Sequence, residues 1–371
     1  MPKAKPVGNG SPRQSSTFDK NKKMMKDIMP EAEESRSPCA SSTNIDIVRR
    51  YTWKTKNRMV VISYGATITS IQVPDRKGVP DDVIAGFDTL EEYLQPRNPY
   101  FGSTIGRYAN IIRDGTFVVR PSGKMYMVST NHGHHHYHGG YVGFDKVQSY
   151  VNGLKVVMSH VSDRFNEGYP GTMMAQITFE VSCDNTLRIE MRCSTSEPTI
   201  VNLTNSPYFN LAGHHAGCET MYDHIITING DKYTATDDEG IVTGEKKIVG
   251  GTAFDFRVPR VVRTMLPRIP LGGYDVNFCI TQGTEQDLTF HARALHPITG
   301  RVLEVYSNQP GLQFYTGNLL YGYVPLLGKQ GTYYKKHGLF CLMPQNFPDA
   351  VNHFSLESNC LILKVSRAEE I

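Results

Sequence analysis

Five histidines fall within seven positions, His132, His134, His135, His136 and His138, in the run Asn131-His-Gly-His-His-His-Tyr-His138-Gly-Gly. Imidazoles bind Zn, Cu and Ni, so the run offers a metal reading. That reading is weak. No cysteine lies close by, and adjacent residues of an extended segment point to opposite sides. The pattern fits a polar loop ahead of a Gly-Gly turn, with four of the five rings solvated and one turned into a pocket.

Asn202-Leu-Thr-Asn205-Ser-Pro-Tyr208-Phe-Asn210 gathers amides and aromatic rings, as do Gln309-Pro-Gly-Leu-Gln313-Phe-Tyr315-Thr-Gly-Asn318 and Gln345-Asn346-Phe-Pro-Asp349. An amide both donates and accepts hydrogen bonds. Aromatic faces beside amides suit sugars, which carry polar edges and apolar C–H faces. Each segment alone fits turn chemistry. Three in one chain favour a neutral, polyhydroxylated ligand. Other chemistries find no motif: there is no GxGxxG behind a strand, no P-loop and no GxSxG elbow.

The elements that must hold these residues read as short strands. Met59–Tyr64, Thr116–Arg120, Leu154–Ser159, Ala175–Val181, Leu187–Met191, His224–Ile228 and Val302–Tyr306 are rich in β-branched and aromatic residues and bounded by turn formers. In Ala175, Ile177, Phe179 and Val181 the apolar residues recur at every second position, which puts one face on a core. The helical signal reduces to Thr89–Leu94. Many strands with few helices predict an all-β sandwich or barrel rather than a βαβ array. Residues 1–45 are rich in Pro, Ser, Lys and Glu and poor in aliphatic clusters, so they read as a disordered tail ahead of one β-domain spanning 46–371.

Composition narrows the function classes. The net charge of +3, from 39 Lys and Arg against 36 Asp and Glu, lacks the basic excess of a dedicated nucleic-acid binder. No apolar run has the length of a membrane span. The N-terminal segment has no apolar core of a secretory signal. Seven scattered cysteines without a CxxC pair read as free thiols, which makes the cytoplasm the expected compartment.

The same segments, in order, resemble the galactose mutarotase (aldose 1-epimerase) family. The resemblance runs through Tyr64-Gly-Ala-Thr-Ile, Ile84-Ala-Gly-Phe-Asp, and Tyr100-Phe-Gly-Ser-Thr-Ile-Gly-Arg107-Tyr-Ala-Asn110. It continues through His138-Gly-Gly-Tyr-Val-Gly-Phe-Asp-Lys146, Glu167-Gly-Tyr-Pro-Gly171, Asn202-Leu-Thr-Asn205 and Gly273-Tyr-Asp275 to the Gln309 and Gln345 segments. It covers roughly residues 58 to 352. It implies a large antiparallel β-sandwich with a hexose, galactose or glucose, in an open cleft, and no metal or organic cofactor. The implied reaction interconverts α and β anomers: a Glu takes the C1 hydroxyl proton, a His protonates the ring oxygen, and the opened chain recloses on the other face.

The resemblance also assigns residues. The sugar-binding positions fall on Asn110, His138, Asp275 and Gln313, all retained. The Arg that follows the Asn falls on Ile111. The acid His falls on Ser206, ahead of Pro207, and the base Glu falls on Met343. A thioether accepts no proton at any useful pH, and an alcohol is too weak an acid to stand in for imidazolium. Removing either group typically costs a factor of about 10²–10⁴ in rate. The expectation is a hexose-binding protein with impaired catalysis. Two alternatives stay open: a working epimerase with Asp275 as base and His138 or a neighbouring His as acid, or a scaffold that binds no sugar. The end, Ser366-Arg-Ala-Glu-Glu-Ile371, lacks the family's final aromatic strand, which implies an exposed sheet edge.

Overall fold

Alternation of side chains across each strand builds four main sheets that bury one shared core. The structure, a computed structural model, describes residues 31–36, 47–54, 57–120, 122–147, 149–152, 156–182, 184–269, 272–281, 288–320, 326–356 and 361–362. The first sheet is a meander of Glu31–Arg36, Ile47–Lys54, Arg58–Ile62, Thr67–Pro74 and Pro80–Asp82. The second joins Tyr150–Asn152, Val156–Ser162, Met173–Val181 and Leu187–Thr195. The third runs in the order Arg260–Val261, Ile225–Ile228, Thr289–Leu295 and Val302–Ser307. The fourth is ordered Val242–Ile248, Gly230–Thr236, Asp275–Ile280, Gly311–Tyr315 and Cys341–Gln345. Paired strands within these sheets are antiparallel. The expected all-β sandwich is what the chain forms.

All four sheets contribute to one apolar cluster, which includes Trp53, Val61, Phe179, Ile226, Ala292, Phe278 and Phe314. Fully burying one such large side chain contributes about 1.5–3 kcal/mol. Met173–Val181 shows the alternation anticipated for Ala175, Ile177, Phe179 and Val181, each of them buried. The other anticipated strands are present with shifted ends, such as Arg58–Ile62 and Leu187–Thr195, because terminal residues of a strand lose their partners before central ones do. Leu154 lies outside the described residues. The anticipated helical stretch is Leu90–Tyr93, and its start is a capping box: the Thr89 hydroxyl accepts from the Glu92 amide while the Glu92 carboxylate accepts from the Thr89 amide; two further short helices, Gly217–Tyr222 and Val262–Met265, were not anticipated.

The segment 1–45, read as a disordered tail, contains the strand Glu31–Arg36, whose backbone pairs antiparallel with Ile47–Lys54. A strand edge offers unpaired N–H and C=O groups, and a short extended segment nearby satisfies them whatever its composition. The rest of 1–45 and the terminal residues 363–371 lie outside the described residues.

Candidate active site

Site residues enter from the fourth sheet through strand register. Asn277 pairs with Gln313 and Gln313 with Met343; one step along, Asp275 pairs with Tyr315 and Tyr315 with Cys341. Directly opposed residues share a face, so all six lie on one side of the sheet. The intervening residues Val276, Phe278, Leu312, Phe314 and Leu342 take the other side and enter the main core. Gly311–Tyr315 is therefore buried on both faces. On the site face, Gln345 donates through Nε2 to Gln313 Oε1 at 3.4 Å, and Gln313 donates through Nε2 to Asp275 Oδ1 at 2.7 Å. This amide relay fixes the carboxylate.

Asp275 is exposed to solvent, yet surrounding protein strips enough hydration to push its pKa up to about 6, against the lowering effect of the Gln313 hydrogen bond. Met343 lies in a small apolar cluster with Tyr208, Tyr315 and Cys341. Ser206 is buried; its backbone N–H donates to Ser103 O at 2.9 Å and its carbonyl accepts from Gly102 N at 2.8 Å. The adjacent Thr204 hydroxyl donates to Pro344 O at 2.8 Å, which ties the Ser206 segment to the strand that carries Met343.

The second wall is the histidine loop. His138 and Asn110 clasp each other: His138 N–H donates to Asn110 O at 3.0 Å, and Asn110 N–H donates to His138 Nδ1 at 2.9 Å. Both residues have positive φ, 51° for His138 and 68° for Asn110. With Nδ1 accepting, the neutral ring carries its proton on Nε2 and acts as a hydrogen-bond donor. Burial first, and the Lys146 charge second, push the His138 pKa down to about 3. The ring lies against Tyr137 (centroids 3.7 Å apart) and Tyr100 (4.9 Å). Ile111 pairs with Tyr137 in a two-residue ladder and is buried. Tyr137 joins the walls, since its hydroxyl lies within electrostatic reach of Asp275 and Tyr315.

Residues far from any ligand chemistry hold this loop. Arg107 is buried, and all three guanidinium nitrogens donate, to the Ser162 hydroxyl and to the carbonyls of Ser162, Asp163, Pro170 and Gly171. The Glu167 carboxylate accepts the backbone N–H groups of Tyr141 (3.1 Å) and Val142 (2.9 Å), just beyond His138. Gly139 and Gly140, at φ 86° and 103°, leave room where a Cβ would overlap Gly106 O and the Glu167 carboxylate.

Three histidines of the run, not one, turn inward. His135 and His136 are buried beside the half-buried His138. His136 donates from Nδ1 to Ser129 O (2.6 Å) and accepts the Tyr169 hydroxyl at Nε2 (2.5 Å). His135 Nδ1 accepts the Asp114 N–H at 3.0 Å. Each inner ring has Nδ1 paired with a main-chain group, a constraint that spacing alone does not reveal. Asp114, His134 and His135 do approach within ligand distance of one another. Their donor chemistry is wrong for a cation, because a His135 with its Nδ1 lone pair engaged keeps the proton on Nε2, which faces Glu239 at 3.3 Å.

The amide-rich segment also divides. Asn202 Nδ2 donates to Ala109 O at 3.2 Å and its Oδ1 accepts the Asn346 N–H at 2.9 Å; Asn210 Nδ2 donates to Gly217 O and Gly338 O. These amides hold backbone together. Of the four binding positions drawn from the sequence, the structure sets Asp275 and Gln313 on the sheet and Asn110 and His138 on the loop, with Tyr137 between. Sequence reasoning set Tyr315 and Gln345 in ligand-suited segments and Arg107 and Glu167 in the family motifs without giving any of them a role, and it did not single out Tyr137. The period-two pattern of Asp275–Ile280 was the available signal for the sheet. A shallow depression lined by His215, Thr332, Tyr333 and Lys335 lies elsewhere and holds none of them.

The family pattern of aldose 1-epimerase matches residues 49–365. The galactose mutarotase of Sus scrofa is 46% identical over 303 residues, covering 80% of this chain and 85% of the relative. The chain belongs to the aldose 1-epimerase family. The human galactose mutarotase is 46% identical over 299 residues, 80% of this chain and 84% of that protein. The aldose 1-epimerase of Escherichia coli is 31% identical over 303 residues, with 80% and 84% covered. Among solved structures, an aldose epimerase homologue from C. elegans superposes with a TM-score of 0.76 at 26% identity, covering 84% of this chain and 93% of that one. Within this family the register on the fourth sheet acquires meaning, because Met343 stands directly opposite Gln313 in the ladder.

Proposed function

We propose that this aldose 1-epimerase family member binds a hexose in the recess between the Asn110–His138 loop and the Asp275–Gln313 strands, and that its proton-transfer chemistry is impaired. The observation that carries this reading is the pairing of Gln313 with Met343. The polar relay Gln345–Gln313–Asp275 is intact beside a position that carries an apolar thioether. Anomerisation needs a base for the C1 hydroxyl and an acid for the ring oxygen. Met343 provides no base and Ser206 provides no acid of useful strength.

A second reading, a working epimerase, draws support from Asp275, whose pKa of about 6 suits a general base. Its weakness is the acid. His138 has its Nδ1 engaged by the Asn110 N–H and resists protonation down to about pH 3, so it binds as a neutral donor rather than as an imidazolium acid. The free thiols Cys193, Cys218, Cys279 and Cys341 support a reducing, cytoplasmic setting. The reading includes no nucleic acid, and among the described residues no helix is long and apolar enough to cross a membrane.

Two measurements test it together. Freshly dissolved α-galactose or α-glucose, followed by polarimetry or NMR, should anomerise at the buffer rate; a protein-dependent acceleration overturns the impairment. Titration with millimolar hexose should raise the melting temperature; no response would favour the scaffold without sugar.

A further inference from the structure

We propose that the site selects a cationic sugar, an amino sugar in its protonated form, over the neutral hexose. The proposal rests on the hexose-binding reading above and names the ligand class more closely. Its starting point is the charge pattern around Asp275. The carboxylate accepts a hydrogen bond from Gln313, a neutral amide, and among the described residues no lysine or arginine balances it. Lys146, a cation of the loop wall, is matched by its own carboxylate, Asp145 at 2.8 Å, and its ammonium lies over the Tyr100 ring at 5.1 Å.

Around this unbalanced carboxylate stand aromatic rings. Tyr315 is its direct cross-strand neighbour, and Tyr137 and Tyr208 lie within its electrostatic reach, with the rings of Tyr208 and Tyr315 6.0 Å apart. Ring faces present negative potential and attract ammonium groups. The remaining lining adds no positive charge: Met343 is a thioether and Ile111 an aliphatic side chain. A carboxylate without a counter-ion, set among tyrosines and a polarisable sulfur, is chemistry that recognises an ammonium. Gln313, Asn110 and the Nε2 donor of His138 meanwhile leave hydrogen bonding for the hydroxyls of the same sugar.

The test compares galactosamine hydrochloride, galactose and N-acetylgalactosamine by calorimetry or ligand-observed NMR, at a pH where the amine is protonated and Asp275 ionised. Galactosamine should bind at least about tenfold more tightly than galactose, a factor within the range of a partly desolvated ammonium–ring contact. N-acetylgalactosamine, which has no charge, should lose that gain. Asp275→Asn should bring galactosamine down to galactose. The three-sugar series needs no variant, so it decides the matter even if Asp275→Asn does not fold. Galactose binding with galactosamine equal or weaker overturns the cation preference and leaves the hexose reading intact. Binding of none of the three overturns both.

Discussion

The loop wall and the sheet wall hold their functional side chains by different means. On the loop, His138 and Asn110 are fixed through main-chain groups, and behind them Arg107 and Glu167 saturate backbone carbonyls and amides. On the sheet, the ladder hydrogen bonds between Gly311–Tyr315 and Cys341–Gln345 form whatever side chains the strands carry, and Asp275 is fixed only by an amide relay. The loop's motif residues are thus structural necessities, since removing one orphans several buried groups. The sheet's are interchangeable without cost to the backbone. Position 343 carries a thioether here without disturbing its ladder pairing with Gln313.

The sharpest way to break that contrast is to supply an acid and a base at the two positions the resemblance assigns to them. Ser206→His with Met343→Glu, and Ile111→Arg added, should raise mutarotation above the wild-type protein by about 10²-fold or more, since each proton-transfer group is typically worth about 10²–10⁴. Polarimetry reads the gain, and a folded but inactive triple variant would mean that the sheet wall has changed shape as well as composition.

Arg107→Met probes the loop. It leaves the carbonyls of Ser162, Asp163, Pro170 and Gly171 without their buried donor. Unsatisfied buried groups cost about 1–3 kcal/mol each, so a loss of about 3 kcal/mol or more is expected in denaturant unfolding. A loss under about 1 kcal/mol would remove the distinction between the walls. Met343→Leu, the matching change on the sheet, is close to volume-conserving and should cost less than about 1.5 kcal/mol.

His138→Phe keeps a ring against Tyr137 and Tyr100 but removes the Nε2 donor and leaves the Asn110 N–H without its acceptor. Hexose affinity should fall about tenfold, the value of one hydrogen bond near 1.4 kcal/mol. The smallest effect belongs to Asp275→Asn on stability. The folded-state pKa of Asp275 is raised from its ordinary value to about 6. Folding therefore favours its protonated form, and that contribution is present at low pH and lost as pH rises through about 6. The variant should consequently melt higher relative to wild type at pH 7.5 than at pH 5. An unchanged difference would mean that the carboxylate is fully hydrated.

What could be read from the sequence follows the same divide. Met173–Val181 was legible because a half-buried strand writes its two faces as alternation. Gly311–Tyr315 was not, because Gln313 and Tyr315 face the site, Leu312 and Phe314 face the core, and flanking glycines look like turns. The positions of His138, Asp275 and Gln313 followed from the resemblance, but the tautomer of His138 did not, since it depends on an Asn110 amide 28 residues away. The inward turn of His135 and His136 depends likewise on Asp114 and Ser129. Asn202 and Asn210 carried the composition of a ligand site and serve as struts.

Gly139 and Gly140 carry a consequence for any attempt to change what this protein recognises. The chain passes so close to Gly106 and Glu167 there that not even a methyl group fits. Variation introduced by mutagenesis into that turn will be purged as misfolded before specificity is ever sampled. New ligand preferences, whether selected in the laboratory or acquired by descent, have to be written on the strands around positions 275, 313 and 343.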